Sequence, residues 1–231
     1  METAAAVLAA LASTGFAVDL WRGHRARPRS HAAVWSAAIG FFALATWALA
    51  LGLGSGWDDT SFRVFFYFGA IATVPVLALG SVYLGFGDRA AARWRNAVLV
   101  FLAAGAWVTM TAVPLTAVAD VGVPEGSEVF GFPMNEVDGG ASLPSPRLFA
   151  AVGTGLGATA ILVLSARATA KTWRSNRRVA FGNLLIVAGT LAASAGGSLT
   201  ALGEGGSFAV SLLAASVLLW VGYRTASGRR S

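Results

Sequence analysis

Seven long apolar runs constrain this chain more than any other feature of its sequence. Each has about the 17 to 25 residues that an α-helix needs to cross the hydrocarbon core of a bilayer. We therefore predict an all-α membrane protein in which residues 1–231 form one domain of seven transmembrane helices. The predicted helices cover about residues 3–20, 32–54, 63–86, 96–118, 148–166, 179–202 and 207–223.

The composition excludes several classes of protein. Hydrophobic residues make up 56% of the chain and charged residues 12%, whereas a soluble domain has roughly a quarter of its residues charged. There are no cysteines, which excludes disulfides, cysteine-bound zinc and thiol catalysis. The formal charge of +6 is more simply explained by charge sorting between loops than by nucleic-acid binding, so we expect no nucleic-acid partner.

Charge sorting between the apolar runs predicts the orientation. All but two of the seventeen lysines and arginines lie after the first, third, fifth and seventh runs, and Arg63 and Arg147 are the two exceptions. The positive-inside rule then places the N-terminus outside and the C-terminus in the cytoplasm of a bacterial inner (plasma) membrane. The basic cytoplasmic face would attract anionic lipid headgroups or an acidic membrane protein partner.

One connection is much longer than a turn. Residues 119–147 carry five acidic residues and four prolines, and the orientation makes this segment an extracytoplasmic loop. Its apolar centre, residues 129–134, could fold back over the helices as a lid, because long loops are often functional. A solvated acidic loop is the simpler interpretation, and the sequence favours it.

The third run, within SFRVFFYFGAIATVPVLALG, provides most of the candidate ligand or partner contacts. Arg63 is expected at the outer interface, where it can pair with Asp58 and Asp59. Pro75 has no N–H to donate, so we expect a kink near the middle of the membrane. Tyr67 lies between Arg63 and Pro75 and is a further candidate contact, as is Asn183 of the sixth run.

Other polar side chains within the runs are few. Asn183, near the cytoplasmic end of the sixth run, is expected to pair with a neighbouring helix rather than with a ligand. Gly153 and Gly157 form a GxxxG face for close helix packing. Because no Asp, Glu, His or Lys lies near the middle of a run, we predict no catalytic, cofactor-binding or metal-ligating residues and no enzyme. The last run has no lysine, which excludes a retinal protein.

The sequences RVFFYFGA, from Arg63, and VPVLALGSVYL, from Val74, are the most distinctive in the chain. They resemble a family of uncharacterised multi-pass, seven-span membrane proteins of actinobacteria, mainly over residues 30–86. The resemblance implies a bacterial inner-membrane protein and carries no catalytic residues.

These observations favour a non-enzymatic integral membrane protein: a sensor, a scaffold or an accessory subunit of a membrane complex. The alternative is a small transporter of a neutral or amphipathic solute, for which a cavity reaching the middle of the membrane is required. A third hypothesis is an enzyme at the outer face that uses the acidic loop and a divalent cation bound through carboxylate oxygens.

Overall fold

The computed structural model describes residues 2–118, 122–200 and 208–227, and over 195–200 it describes the backbone alone. Almost all of this part of the chain is helical. A short helix and a two-stranded antiparallel hairpin, which the all-α prediction did not include, lie in the long loop. The elements are α1 Glu2–Ala26, α2 Ser30–Ser55, α3 Asp59–Phe66, a π-helical turn Tyr67–Ala72, α4 Thr73–Phe86, α5 Asp88–Thr111, α6 Gly126–Val129, β1 Met134–Glu136, β2 Ser142–Pro144, α7 Pro146–Thr172, α8 Arg177–Thr200 and α9 Phe208–Ser227.

Five helices of the described residues are long and apolar enough to cross a membrane. They are α1, α2, the continuous helix Asp59–Phe86, α7 and α9. Large apolar side chains on the outside of the bundle are highly exposed, for example Leu156 at 72% and Val100 at 70%. Exposed apolar area of this kind is typical of a lipid-facing surface. The protein therefore has the character of a membrane protein.

Helix α5 departs from the predicted 96–118 span at both ends. It begins eight residues earlier, at Asp88, and ends at Thr111. The end has a local cause: Ala112 is extended (φ −62°, ψ 129°), and Val113 precedes Pro114, which disfavours helical backbone. Residues 112–118 therefore belong to the long loop, and the prediction that they continue the fourth helix is wrong.

Six of the long helices form a closed ring. Helix α1 packs against α2 and α9, α2 packs against the α3–α4 helix, that helix packs against α7, and α7 and α9 both pack against α8. Helix α5 lies outside this ring, against the α3–α4 helix and α7. The ring has two chemically different ends. We call the end with Asp58 and Glu136 the acidic end, and the end with Lys171 and Arg224 the basic end.

Glycines allow the closest helix contacts of the ring. A Cβ at Gly157 would lie 2.9 Å from Val74 Cγ1 and 3.1 Å from the Val74 carbonyl oxygen. A Cβ at Gly153 would lie 3.1 Å from Pro75 Cγ. The GxxxG face predicted from the sequence is therefore the surface on which α7 meets α4. Glycines 182, 189 and 222 have the same role between α8 and α9.

The π-helical turn precedes Pro75 by one helical turn. Pro75 cannot donate a backbone hydrogen bond, which leaves nearby carbonyl groups short of donors. Two threonine hydroxyls supply donors here: Thr73 bonds to the Phe68 carbonyl at 2.7 Å, and Thr154 of α7 bonds to the Ala70 carbonyl at 2.9 Å. The disturbance expected from Pro75 is thus accommodated as a π turn that α7 helps to hold.

Candidate functional site

A cavity of about 560 Å³ lies inside the ring at the basic end. Side chains of α1, α2, α4, α7, α8 and α9 line it. Its deeper walls are apolar, with Phe16 and Leu77 among them, and its opening carries the cationic side chains of Arg167 and Lys171. Both of these are exposed, so the cavity opens to solvent at the basic end.

A second cavity of about 560 Å³ lies deeper in the ring. The described residues of its lining are uncharged, and their polar side-chain groups are hydroxyls. These hydroxyls are already bonded to protein: Thr46 to Ser13 and to backbone carbonyls of α2, Thr190 to the Ile186 carbonyl, and Thr154 to the Ala70 carbonyl. The inner cavity therefore offers an apolar environment with few free hydrogen-bonding groups.

The two cavities share four lining residues, one from each of α2, α4, α7 and α9. All four are aliphatic: Ile39, Leu77, Ile161 and Leu219. From Lys171 to Thr154 the lining of α7 extends over about 26 Å at 1.5 Å per residue, which approaches the ~30 Å of a hydrocarbon core. The two cavities thus adjoin along the interior of the ring, and four aliphatic side chains lie where they meet. We call the two cavities together the interior path.

Several polar groups of the basic-end cavity have no partner in the part of the chain that the structure describes. No hydrogen bond or ion pair there involves the side chains of Ser165, Arg167, Lys171, Asn183 or Tyr223. Nearby polar groups outside the cavity lining are paired, since the Asp19 carboxylate accepts from Arg224 Nε and Trp220 Nε1, each at 3.0 Å. The cavity opening therefore presents free donors and positive charge to an occupant.

The acidic end of the ring is closed by the long loop. Phe130 is fully buried, with its ring centroid 5.8 Å from that of Phe62 and 5.2 Å from that of Phe66. Trp57 Nε1 donates to the Gly122 carbonyl at 2.7 Å. We call described residues 112–118 and 122–145 the cap. Phe132 and Met134 remain exposed, so only part of the apolar centre folds inward.

Asn135 organises the interior of the cap. Its side chain is buried, and it accepts from the Gly131 N–H at 2.7 Å. Its amide donates to the carbonyls of Val113 at 2.9 Å and Glu136 at 2.7 Å. The Asn135 side chain therefore links strand β1 to the start of the loop at Val113 and to Gly131, and its polar atoms are bonded as a buried amide requires.

Arg63 fastens the cap to α3. Its guanidinium is buried and makes three bonds: Nε donates to Asp59 Oδ2 at 2.6 Å, Nη2 to the Ala112 carbonyl at 2.9 Å, and Nη1 to the Thr109 carbonyl. The Arg63 Cζ also lies 6.0 Å from the centroid of the Phe130 ring. The two carbonyls belong to the C-terminus of α5, where a cation is favoured by the helix dipole.

The six predicted site residues (Asp58, Asp59, Arg63, Tyr67, Pro75 and Asn183) lie in different parts of the structure. Asp58 caps α3 by accepting from the Ser61 N–H at 2.6 Å, and this bond lowers the pKa of the Asp58 carboxyl. Asp59 pairs with Arg63. Tyr67 donates to the Leu102 carbonyl at 3.1 Å, and Pro75 packs near Gly153. Of the six, Asn183 lines a cavity, without the interhelical bond expected of it.

Most residues that line the cavities could not be recognised from the sequence, because each is a side chain that is common in membrane helices. On α7 they recur at helical spacing as small, hydroxyl or branched side chains: Thr154, Ala158, Ile161, Ser165 and Ala168. This spacing of three and four residues places them on one face of the helix. Lys171 lies beyond the predicted fifth span, 148–166, but α7 continues to Thr172 and brings Lys171 to the cavity.

Comparisons with protein-family models, with curated proteins and with solved structures find no significant match to this chain. The resemblance to actinobacterial membrane proteins stays a prediction. The function must be argued from the cavity and the cap themselves.

Proposed function

We propose that this chain is a seven-span inner-membrane protein, with its N-terminus outside and its C-terminus in the cytoplasm, that acts as a small transporter of a neutral or amphipathic solute. The observation that carries the proposal is the interior path of two cavities. The path runs from the basic end to the level of Thr154 and is lined by six ring helices. In this orientation the basic end is cytoplasmic.

The chemistry of the path favours transport or binding over catalysis. No residue that lines the inner cavity in the described part of the chain is charged, and an unpaired charge would be costly there. Volumes of about 560 Å³ lie within the range of ordinary small-molecule sites. A solute with a large apolar part is therefore the natural occupant.

The two ends of the path differ in a way that suits one state of a transporter. The cap and its aromatic cluster close the acidic end, while Arg167 and Lys171 lie at an open basic end. A transporter exposes its central site to one side of the membrane at a time. This arrangement corresponds to a state open to the cytoplasm.

Filling the inner cavity should weaken solute binding. Ala158 faces the inner cavity, so Ala158→Trp places a large side chain in it. The measurement is the immobilised fraction of a spin-labelled long-chain methyl ester added to the protein in zwitterionic nanodiscs. We expect a loss of at least about fivefold in apparent affinity, since the added ring occupies the solute volume.

The matched control is Leu156→Trp on the outer face of the same helix, where the side chain is 72% exposed. It adds a tryptophan without entering the cavity and should bind like the wild type. Equal immobilisation by wild type and Ala158→Trp would contradict the proposed function.

A sensor, scaffold or accessory subunit is the second candidate, and the position of α5 favours it. This helix lies outside the ring and leaves Val100 and Trp107 largely exposed, at 70% and 58%. A partner helix could cover this face. Purification in a mild detergent should then retain a stoichiometric membrane protein that Val100→Trp releases. A clean preparation without such a protein would refute this candidate.

A further inference from the structure

The basic-end cavity combines free polar groups at its opening with an apolar interior. Arg167 and Lys171 lie at the opening, and Asn183, Ser165 and Tyr223 line the same cavity. We infer that the path holds an amphiphile with a compact anionic head, bound between Lys171 and Arg167, and one apolar chain that extends past the four shared aliphatic residues into the inner cavity. This inference rests on the proposed function and names its solute class.

The local charge favours an anion. No carboxylate lines either cavity among the described residues. The Asp19 carboxylate pairs with Arg224 and accepts from Trp220, and it is not among the residues that line the cavity. Ammonium and guanidinium groups bind carboxylate and phosphate oxygens through charge-assisted hydrogen bonds, which are stronger than neutral ones.

The distribution of polarity sets how deep each part of the ligand lies. A charged head is costly to desolvate, so it stays at the exposed opening, where two cations and the Asn183 amide can bind it. Beyond the opening the lining becomes aliphatic and aromatic, with Phe16 and Ile161 in the wall. An apolar chain gains by burial there in proportion to its buried area.

The place where the two cavities meet favours a ligand with a single apolar chain. Ile39, Leu77, Ile161 and Leu219 line both cavities at the place where they meet, and two of these, Ile39 and Ile161, are almost fully buried. The path continues for about 26 Å along α7, which suits an extended chain better than a compact solute. A ligand with one long chain fits both features.

The test compares three spin-labelled amphiphiles with the same long chain and different heads: a carboxylate, a methyl ester and a trimethylammonium group. The protein is used in zwitterionic nanodiscs, and the immobilised fraction is measured by titration. We expect the carboxylate to bind at least about fivefold more tightly than the other two. The double variant Arg167→Gln, Lys171→Gln should remove this preference, because the carboxylate then binds no more tightly than the methyl ester.

The matched control is Arg174→Gln, which removes one cation from the same end of the bundle but does not line the cavity. It should keep the preference for the carboxylate. An equal loss in Arg174→Gln would assign the effect to the general surface charge and overturn the inference. Competition by inorganic phosphate alone would overturn it as well, because the site would then need no apolar chain.

Two further outcomes separate the inference from the proposed function. Immobilisation of none of the three amphiphiles would refute both, whereas equal binding of all three would refute the anionic head and leave the solute path standing. Added phosphatidylglycerol distinguishes the sources of the ligand. Displacement of the carboxylate probe would show that a two-chain anionic lipid occupies the site and would overturn the single-chain part of the inference, whereas persistence of the probe would support a single-chain amphiphile.

Discussion

Replacing Arg63 with alanine is expected to lower the free energy of unfolding by about 2–4 kcal/mol. The guanidinium satisfies the Thr109 and Ala112 carbonyls and pairs with Asp59. Alanine leaves both carbonyls without these donors at the place where the cap joins α5. Unfolding in detergent, followed by circular dichroism at increasing denaturant, measures the change.

Two variants show whether the carbonyl bonds or the ion pair carry the effect. Asp59 is about half exposed, so Asp59→Asn removes the charge of the pair in solvent and should cost less than about 1 kcal/mol. Arg63→Lys keeps the charge but has one nitrogen in place of a planar fork, so it should recover only part of the loss. Equal stability of Arg63→Ala and the wild type would reduce Arg63 to an ordinary surface charge.

Gly157→Leu is expected to have the second large effect, because it separates α7 from α4. Even a Cβ at this position would lie 2.9 Å from Val74 Cγ1 and 3.1 Å from backbone atoms of Val74. The backbone of α4 cannot move aside as a flexible side chain would, so we expect a loss of about 2–3 kcal/mol. The inner cavity should lose its amphiphile binding as well, since Thr154, Ala158 and Ile161 lie on the displaced helix.

Gly155→Leu provides the comparison two residues away on the same helix. A Cβ at Gly155 has no neighbouring atom within 4 Å, and leucine favours helix over glycine by about 1 kcal/mol. This variant should therefore be as stable as the wild type or more so. Similar losses in both variants would mean that leucine disturbs α7 itself and that the contact with α4 is not responsible.

The apolar runs predict the long helices well because transmembrane length and hydrophobicity are local properties of the sequence. Their ends were predicted less well. Helix α1 continues through its arginines to Ala26, and α7 continues to Lys171 and Thr172, because long cationic side chains are tolerated in a helix that leaves the membrane. The end of α7 determines the lining of the basic-end cavity, since Lys171 reaches this cavity only as part of α7.

The cavities and the cap could not be predicted from the sequence in the same way. The pairing of Arg63 with Asp59 could be expected because the two residues are one helical turn apart, whereas the expected pairing with Asp58 is replaced by the cap that Asp58 provides for α3. The contacts of Arg63 with Thr109 and Ala112 join residues more than 40 positions apart, and no local pattern encodes them. A cavity is the space that six packed helices leave, so its lining is recognisable only when their neighbours are known.

The π turn at Tyr67–Ala72 contains one residue more than an α-helical turn between α3 and α4. If the π turn converted to regular α-helix, α3 would rotate by about 100° and shift by about 1.5 Å relative to α4. Phe66, at the end of α3, contacts Phe130 of the cap and also lines the inner cavity. A change of helical register at this one turn would therefore move the Phe66–Phe130 contact and one wall of the inner cavity together, and the hydrogen bond from Thr154 of α7 to the Ala70 carbonyl opposes such a change.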